Sequence, residues 1–275
     1  MNFSELFPDE DYRFHMALQR GSPEDFFRPT AAQKSILDER RHWLRTEPHD
    51  YHALLPEGAS LLDECLDLAR DWQSVAAEHH HQITDAADPQ ERCRQLAEIW
   101  EPDFLLLRAD SEGKFRLLGG CVCFPSSWSL AEKIGQPIHF IHGPVPGLNA
   151  QLGRSIDSFL AKLVPGQAWL RHNWGLSRSP ELNQHPARAL PRLDASVSLD
   201  QTWLRVEHQL LVALPRSEGV LFAIRIAMHP LAEVTRAPEI ATNLARALRT
   251  MPEPVTTYKG LGTARERLVE LLMNS

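Results

Sequence analysis

Cysteine is scarce in this chain: there are four in 275 residues, at positions 65, 93, 121 and 123. Their spacing matches no zinc-binding pattern and gives no disulfide framework. Cys121 and Cys123 stand two apart in a strand-like run, so both thiols share one face and read as small buried groups. Positive charge is not in excess either. Lys and Arg number 29 against 36 Asp and Glu, a net charge of −7, which speaks against a nucleic-acid backbone as partner. No apolar run approaches the roughly 18 residues of a membrane span. The first residues, MNFSELFPDEDYRF, are acidic and lack a signal-peptide core. The expectation is a cytoplasmic protein with no nucleic-acid and no membrane partner. G-x-S-x-G and H-E-x-x-H are absent, GLG at 260–262 is too short for a phosphate fingerprint, and no hydrolase triad emerges.

What is present is ordinary globular material, 43% hydrophobic and 24% charged. Residues 31–46 and 59–77 have helical spacing, with Leu61, Leu62, Leu66, Ala69 and Trp72 on one stripe. Residues 90–100 form another helix, stopped by Pro102. Region 1–100 is therefore mainly helical. Residues 103–109 and 115–124 read as strands joined by SEGK. PSSWSLAEKIG, 125–135, predicts a helix with Ser126 or Ser127 as N-cap and Gly135 as its stop. Residues 149–163 form an amphipathic helix, 168–173 a short strand, and 178–202 a long polar loop. Strands 203–214 and 219–228 follow, and helices at 231–249 and 262–273 end the chain.

The fold class expected is α+β. Five antiparallel strands with helices on one face resemble the PAS fold, a ligand- and haem-sensing module. Residues 101–230 would form this core, extended by the N-terminal helices and by C-terminal helices in 231–275, all as one compact unit.

The last hairpin carries charge. Alternation puts Arg225 on one face with Leu221, Ala223 and Ala227. On the preceding strand, Glu207 shares a face with Arg205, Gln209 and Leu211. His208 lies with Leu204, Val206, Leu210 and Val212. Matching apolar faces sets Arg225 opposite Gln209 and diagonal to Glu207. Arg225 is then either a structural ion pair or a clamp for an anionic group. His208 on an apolar face reads as a hydrogen-bonded core residue. In FIHGPVPG, 140–147, two prolines and two glycines place His142 on a stiff loop. Such placement suits a metal ligand, and His139 competes for the role. On chemistry alone a turn histidine is the plainer reading. His79, His80 and His81 are consecutive, cannot share a helix face, and read as a helix end or solvated loop.

Several phrases then act together: EPDFLLL (101–107), CFPSSWSLAEKIG (from Phe124 to Gly135, preceded by Cys123), IHGPVPGLNAQL (141–152), RHNW (171–174), LRVEHQLLVALPRSEGVLFAIRI (204–226) and HPL (229–231). In this order they resemble the haem-binding alpha subunit of the haem-dependent oxidative N-demethylases. The resemblance implies haem b, dioxygen and a small secondary amine such as dimethylamine, demethylated to a primary amine and formaldehyde. It implies electrons from NADPH through a flavin and an iron–sulfur cluster on partner reductase subunits. The chain has no dinucleotide fingerprint and no cysteine set for a cluster, so it would borrow that reductant. His142 becomes the first choice for the proximal iron ligand, with His208 and His139 as rivals. Glu207 is assigned to the substrate ammonium or to proton delivery. Arg225 would hold a haem propionate or Glu207 itself, and Arg171 and Asn173 would wall the pocket. One departure stands out: the family's arginine after the glutamate is His208 here, a titratable imidazole for a permanent cation. A non-catalytic PAS-like sensor of haem or a small molecule, and a haem-free structural subunit, are the alternatives.

Overall fold

The computed structural model describes residues 2–274. The alternating segments become strands of one antiparallel sheet: β1 (Gln19–Gly21), β2 (His52–Leu54), β3 (Asp103–Ala109), β4 (Phe115–Cys121), β5 (Ala168–Ser177), β6 (Trp203–Leu214) and β7 (Gly219–Pro230). Their order is β1-β5-β6-β7-β3-β4-β2. The sheet thus holds seven strands where five were expected. The five long ones are those predicted. β1 and β2 have three residues each, too few to carry a readable alternation, and they close the edges of β5 and β4.

Both faces of the sheet are covered. Leu210, Val212, Leu221, Phe104 and Leu106 pack with the N-terminal helices, where Leu61, Leu62, Leu66 and Ala69 are fully buried as their stripe predicts. Leu204 and Val206, on that same face, pack with helices Pro238–Thr250 and Arg265–Met273. Helix Leu148–Ala161 covers the opposite face through Leu160, against Leu105, Leu107, Leu211 and Val220. The predicted helix 231–249 is divided: Leu231–Val234 ends, and Pro238 opens a new helix at a position where its missing N–H is harmless.

The β6–β7 register differs by one residue from the expected pairing. His208 stands opposite Arg225, Glu207 opposite Ile226, and Gln209 opposite Ile224. A one-residue slip exchanges faces. Both sides of this hairpin are rich in Val, Leu and Ile, so alternation alone does not choose. The turn decides it: Leu214 pairs with Gly219, and Glu218 between them takes φ +54. Arg225 therefore faces away from Glu207, and the predicted contact between them does not form. Arg225 instead pairs with buried Glu101 at 3.0 Å and donates to the carbonyl oxygens of Phe26 and Arg28. Glu101 also accepts from the Thr30 N–H at 2.6 Å and hydroxyl at 2.8 Å. This network ties the N-terminal segment to the sheet.

A second buried pair shapes the path toward the Glu207 face. Arg40 Nη2 lies 2.9 Å from Asp103 Oδ1, with both side chains at most 1% exposed. Asp103 accepts from the backbone N–H of Cys123 (2.9 Å) and Phe124 (3.0 Å). It thereby fixes the direction in which the chain leaves β4. Cys121 and Cys123 are buried together, sulfurs 3.6 Å apart. The helix predicted over 125–135 is absent: Ser126 forms a bridge to Gln184, and residues 131–135 make a turn. Its expected cap, the Ser126 hydroxyl, is engaged elsewhere.

Candidate active site

That hydroxyl donates to Glu207 Oε1 at 2.6 Å. Glu207 Oε2 accepts from Gln209 Nε2 at 2.8 Å and Asn173 Nδ2 at 3.2 Å. Strand pairing explains the convergence: Asn173 stands opposite Glu207 and Arg171 opposite Gln209, all on one sheet face. Arg205, two residues before Glu207, completes the set. Its Nε donates to Ser126 Oγ at 2.8 Å, and its Nη atoms reach the carbonyl oxygens of Leu182 (2.8 Å) and Phe124 (2.7 Å). Burial lowers the Arg205 pKa to about 10, opposed by the charges of Glu207, Asp103 and Glu39, so it stays a cation at neutral pH. An ionised carboxylate offers about four acceptor positions, and three donors occupy Glu207. Room remains beside it: a Cβ placed on Gly175, further along β5, would meet nothing within 4 Å, and glycine inside a strand marks a place where another group can approach.

His142 caps the short helix Ile138–Ile141, and Gly147, at φ +80, opens helix Leu148–Ala161 behind it. Together they wall a cavity of about 290 Å³ that includes Ile138, His139, His142, Gly153 and Ile156. Burial, reinforced by the Arg171 cation and opposed by Asp157, lowers the His142 pKa to about 4. The imidazole is neutral at pH 7 and can present a lone pair to a metal. His139 is exposed and His142 half-buried, which favours His142 between the two.

These residues fit a haem by donor chemistry. A porphyrin supplies four iron ligands, so the protein has to provide only an axial one. Among the described residues no three His, Cys, Asp or Glu side chains gather as a bare metal ion would need, whereas one neutral imidazole stands beside Ile138, Ile156 and a glycine. Arg171 marks a place for an anion. Its Nε is buried without a hydrogen-bond partner, and its charge interacts with both His142 and Glu207. The cavity falls just below the ~300–1,000 Å³ usual for ligand sites, and His139, Asn149 and Arg154 on its wall are exposed. It is an open cleft rather than a closed chamber.

The rival histidine lies elsewhere. His208 is on the opposite sheet face, its Nδ1 3.1 Å from His172 Nδ1. Burial, with the neighbouring His172, His229 and Arg225, lowers its pKa to about 4. The unfolded chain would bind that proton near pH 6.5 and the folded chain only near 4. Stability from this site is therefore lost as pH falls through that window. Denaturation midpoints at pH 7 and pH 5 should differ less in His208→Gln than in the parent chain. An equal drop in both would mean that His208 does not carry the acid sensitivity.

The resemblance named Glu207, Arg171 and Asn173 separately, the β5–β6 register brings them to one face, and the sequence reading missed the parts played by Ser126 and Arg205. Alternation had already placed Arg205 beside Glu207, and a charged residue in an otherwise apolar strand was the available signal. No helix among the described residues is long and apolar enough to cross a membrane. The family model described as haem-dependent oxidative N-demethylase, alpha subunit-like, matches residues 64–269. That span contains β3 to β7, the Glu207 network and the His142 cleft, and the chain belongs to this family.

Proposed function

We propose that this chain is the haem-bearing catalytic subunit of an oxidative N-demethylase. In this reading it takes a small secondary amine, dioxygen and electrons from separate reductase subunits carrying flavin and an iron–sulfur cluster, with NADPH as their source. The products are the primary amine and formaldehyde. The five long strands act as a PAS-like platform, and the cytoplasm is where NADPH and such partners meet it.

The observation that carries the proposal is the carboxylate of Glu207, oriented by three donors with an acceptor position left over. Haem b, held by His142, would supply oxygen activation. The protein's own contribution is placement. Glu207 receives the substrate ammonium and can hold the amine proton at Oε1, which accepts from Ser126 alone, whereas Oε2 is filled by Gln209 and Asn173. Ser126, Gln209 and Asn173 keep that carboxylate from rotating. Arg205 keeps its own charge on Ser126 and on backbone carbonyls, so it does not neutralise Glu207 directly.

Oxygen uptake by the haem-loaded chain, supplied with a chemical reductant, tests this. Uptake that depends on dimethylamine or a related secondary amine, with formaldehyde released in step, is the expected result. Haem binding with no response to any amine would instead identify a sensor. A chain that stays colourless with added haem would identify a structural subunit.

A further inference from the structure

Buried cations in proteins are paired, and one cation near the Glu207 network is not. Among the described residues no carboxylate lies within ion-pair distance of the Arg171 guanidinium, and its buried Nε has no hydrogen-bond partner. A second cation is close. Lys259 reaches in from the C-terminal region, donates to the Trp174 carbonyl at 2.7 Å, and lies over the Trp174 ring at 5.2 Å. Arg171 and Lys259 both feel the single charge of Glu207. Both line one cavity of about 180 Å³ at the edge of β5, which Asn173 also lines. Two other charged residues border it. Arg13 is spent on Glu10 at 2.7 Å, and Glu5, the carboxylate on its wall, is exposed.

Resting on the amine reading above, we propose that Arg171 and Lys259 form a carboxylate subsite beside Glu207, so that the substrate is an N-methylated amino acid rather than a simple alkylamine. The strand register sets the spacing. Asn173 is opposite Glu207 and Arg171 opposite Gln209, so Arg171 is the diagonal neighbour of Glu207, a separation of about 7–8 Å between backbones. Side chains converging across that diagonal leave room for a ligand whose ammonium and carboxylate are separated by one carbon. The ammonium meets Glu207. The carboxylate meets the guanidinium fork, which binds such groups through two parallel hydrogen bonds, and the Lys259 ammonium. The cavity holds Arg171 and Lys259, and its wall reaches Glu207 through Asn173, which donates to that carboxylate; about 180 Å³ suits a small amino acid.

Isothermal titration of the purified full chain, before and after haem loading, with N-methylglycine, dimethylamine and acetate tests the subsite. N-methylglycine should bind at least about tenfold more tightly than either of the others, the effect of adding a charged hydrogen-bonded contact. Arg171→Gln and Lys259→Met should each bring the N-methylglycine and dimethylamine affinities together. The two residues sit on different elements, so Lys259→Met carries the test if Arg171→Gln fails to fold. Equal affinities for the two amines in the parent chain would overturn the proposal. So would an Arg171→Gln variant that loses haem affinity yet keeps the preference, because the guanidinium would then serve a haem propionate. Failure of haem loading is read separately, from the absorption spectrum, and counts against the proposed function rather than the subsite.

Discussion

Glu207→Gln is expected to lower demethylation by about 10²–10⁴-fold, the usual effect of removing a positioned acid–base group, while haem binding persists. Glutamine keeps the shape and loses the charge. Its amide presents an acceptor on one side only. Three donors, from Ser126, Gln209 and Asn173, now converge on the carboxylate, so at least one would face an N–H₂ group. The substrate ammonium would also lose its counter-charge, so KM should rise along with the fall in kcat. Steady-state kinetics beside the absorption spectrum separate the outcomes. Full turnover with an unchanged KM would remove Glu207 from the mechanism. Loss of the haem spectrum would show that it serves the cofactor instead.

Asp103→Ala is expected to destabilise the fold by about 3–5 kcal/mol, the cost of stranding one partner of a buried ion pair. Arg40 would stay at 0% exposure with its carboxylate gone. The N–H groups of Cys123 and Phe124 would lose their acceptors. Denaturant unfolding with an unchanged m-value reads this directly. The double variant Arg40→Met, Asp103→Leu should recover much of the loss, because two apolar groups leave no buried charge. A cost below about 1 kcal/mol in the single variant, the range of exposed pairs, would contradict the account. A functional effect should accompany the loss. Asp103 aims the chain at Ser126, so folded Asp103→Ala should hold Glu207 less firmly and turn over more slowly.

The parts that could be read from the residues were those with strong local signals. The stripe at Leu61 to Ala69 buried as drawn, and the limits of β6 and β7 were found to within about two residues. The failures have physical causes. The β6–β7 register could not be chosen from two faces that are both apolar, and a single residue of slip moved Arg225 from Glu207 to Glu101. Ser126 has the chemistry of a helix cap. Its hydroxyl went to Glu207 because Asp103 and a bridge to Gln184 hold the chain extended there. Lys259 reaches the site from the C-terminal region, a meeting that only the tertiary fold creates. Arg171 and Asn173 were named only as pocket-wall candidates through the resemblance; that they share the Glu207 face comes from the β5–β6 register, and the missing partner of Arg171 is a property of three dimensions.

Haem titration of the purified chain, followed by its absorption spectrum, tests the central claim most directly. The parent chain and His208→Ala should saturate at one haem per chain with the spectrum of an imidazole-ligated iron, and His142→Ala should lose that spectrum. An unchanged spectrum in His142→Ala, or a parent chain that takes up no haem, would contradict the account.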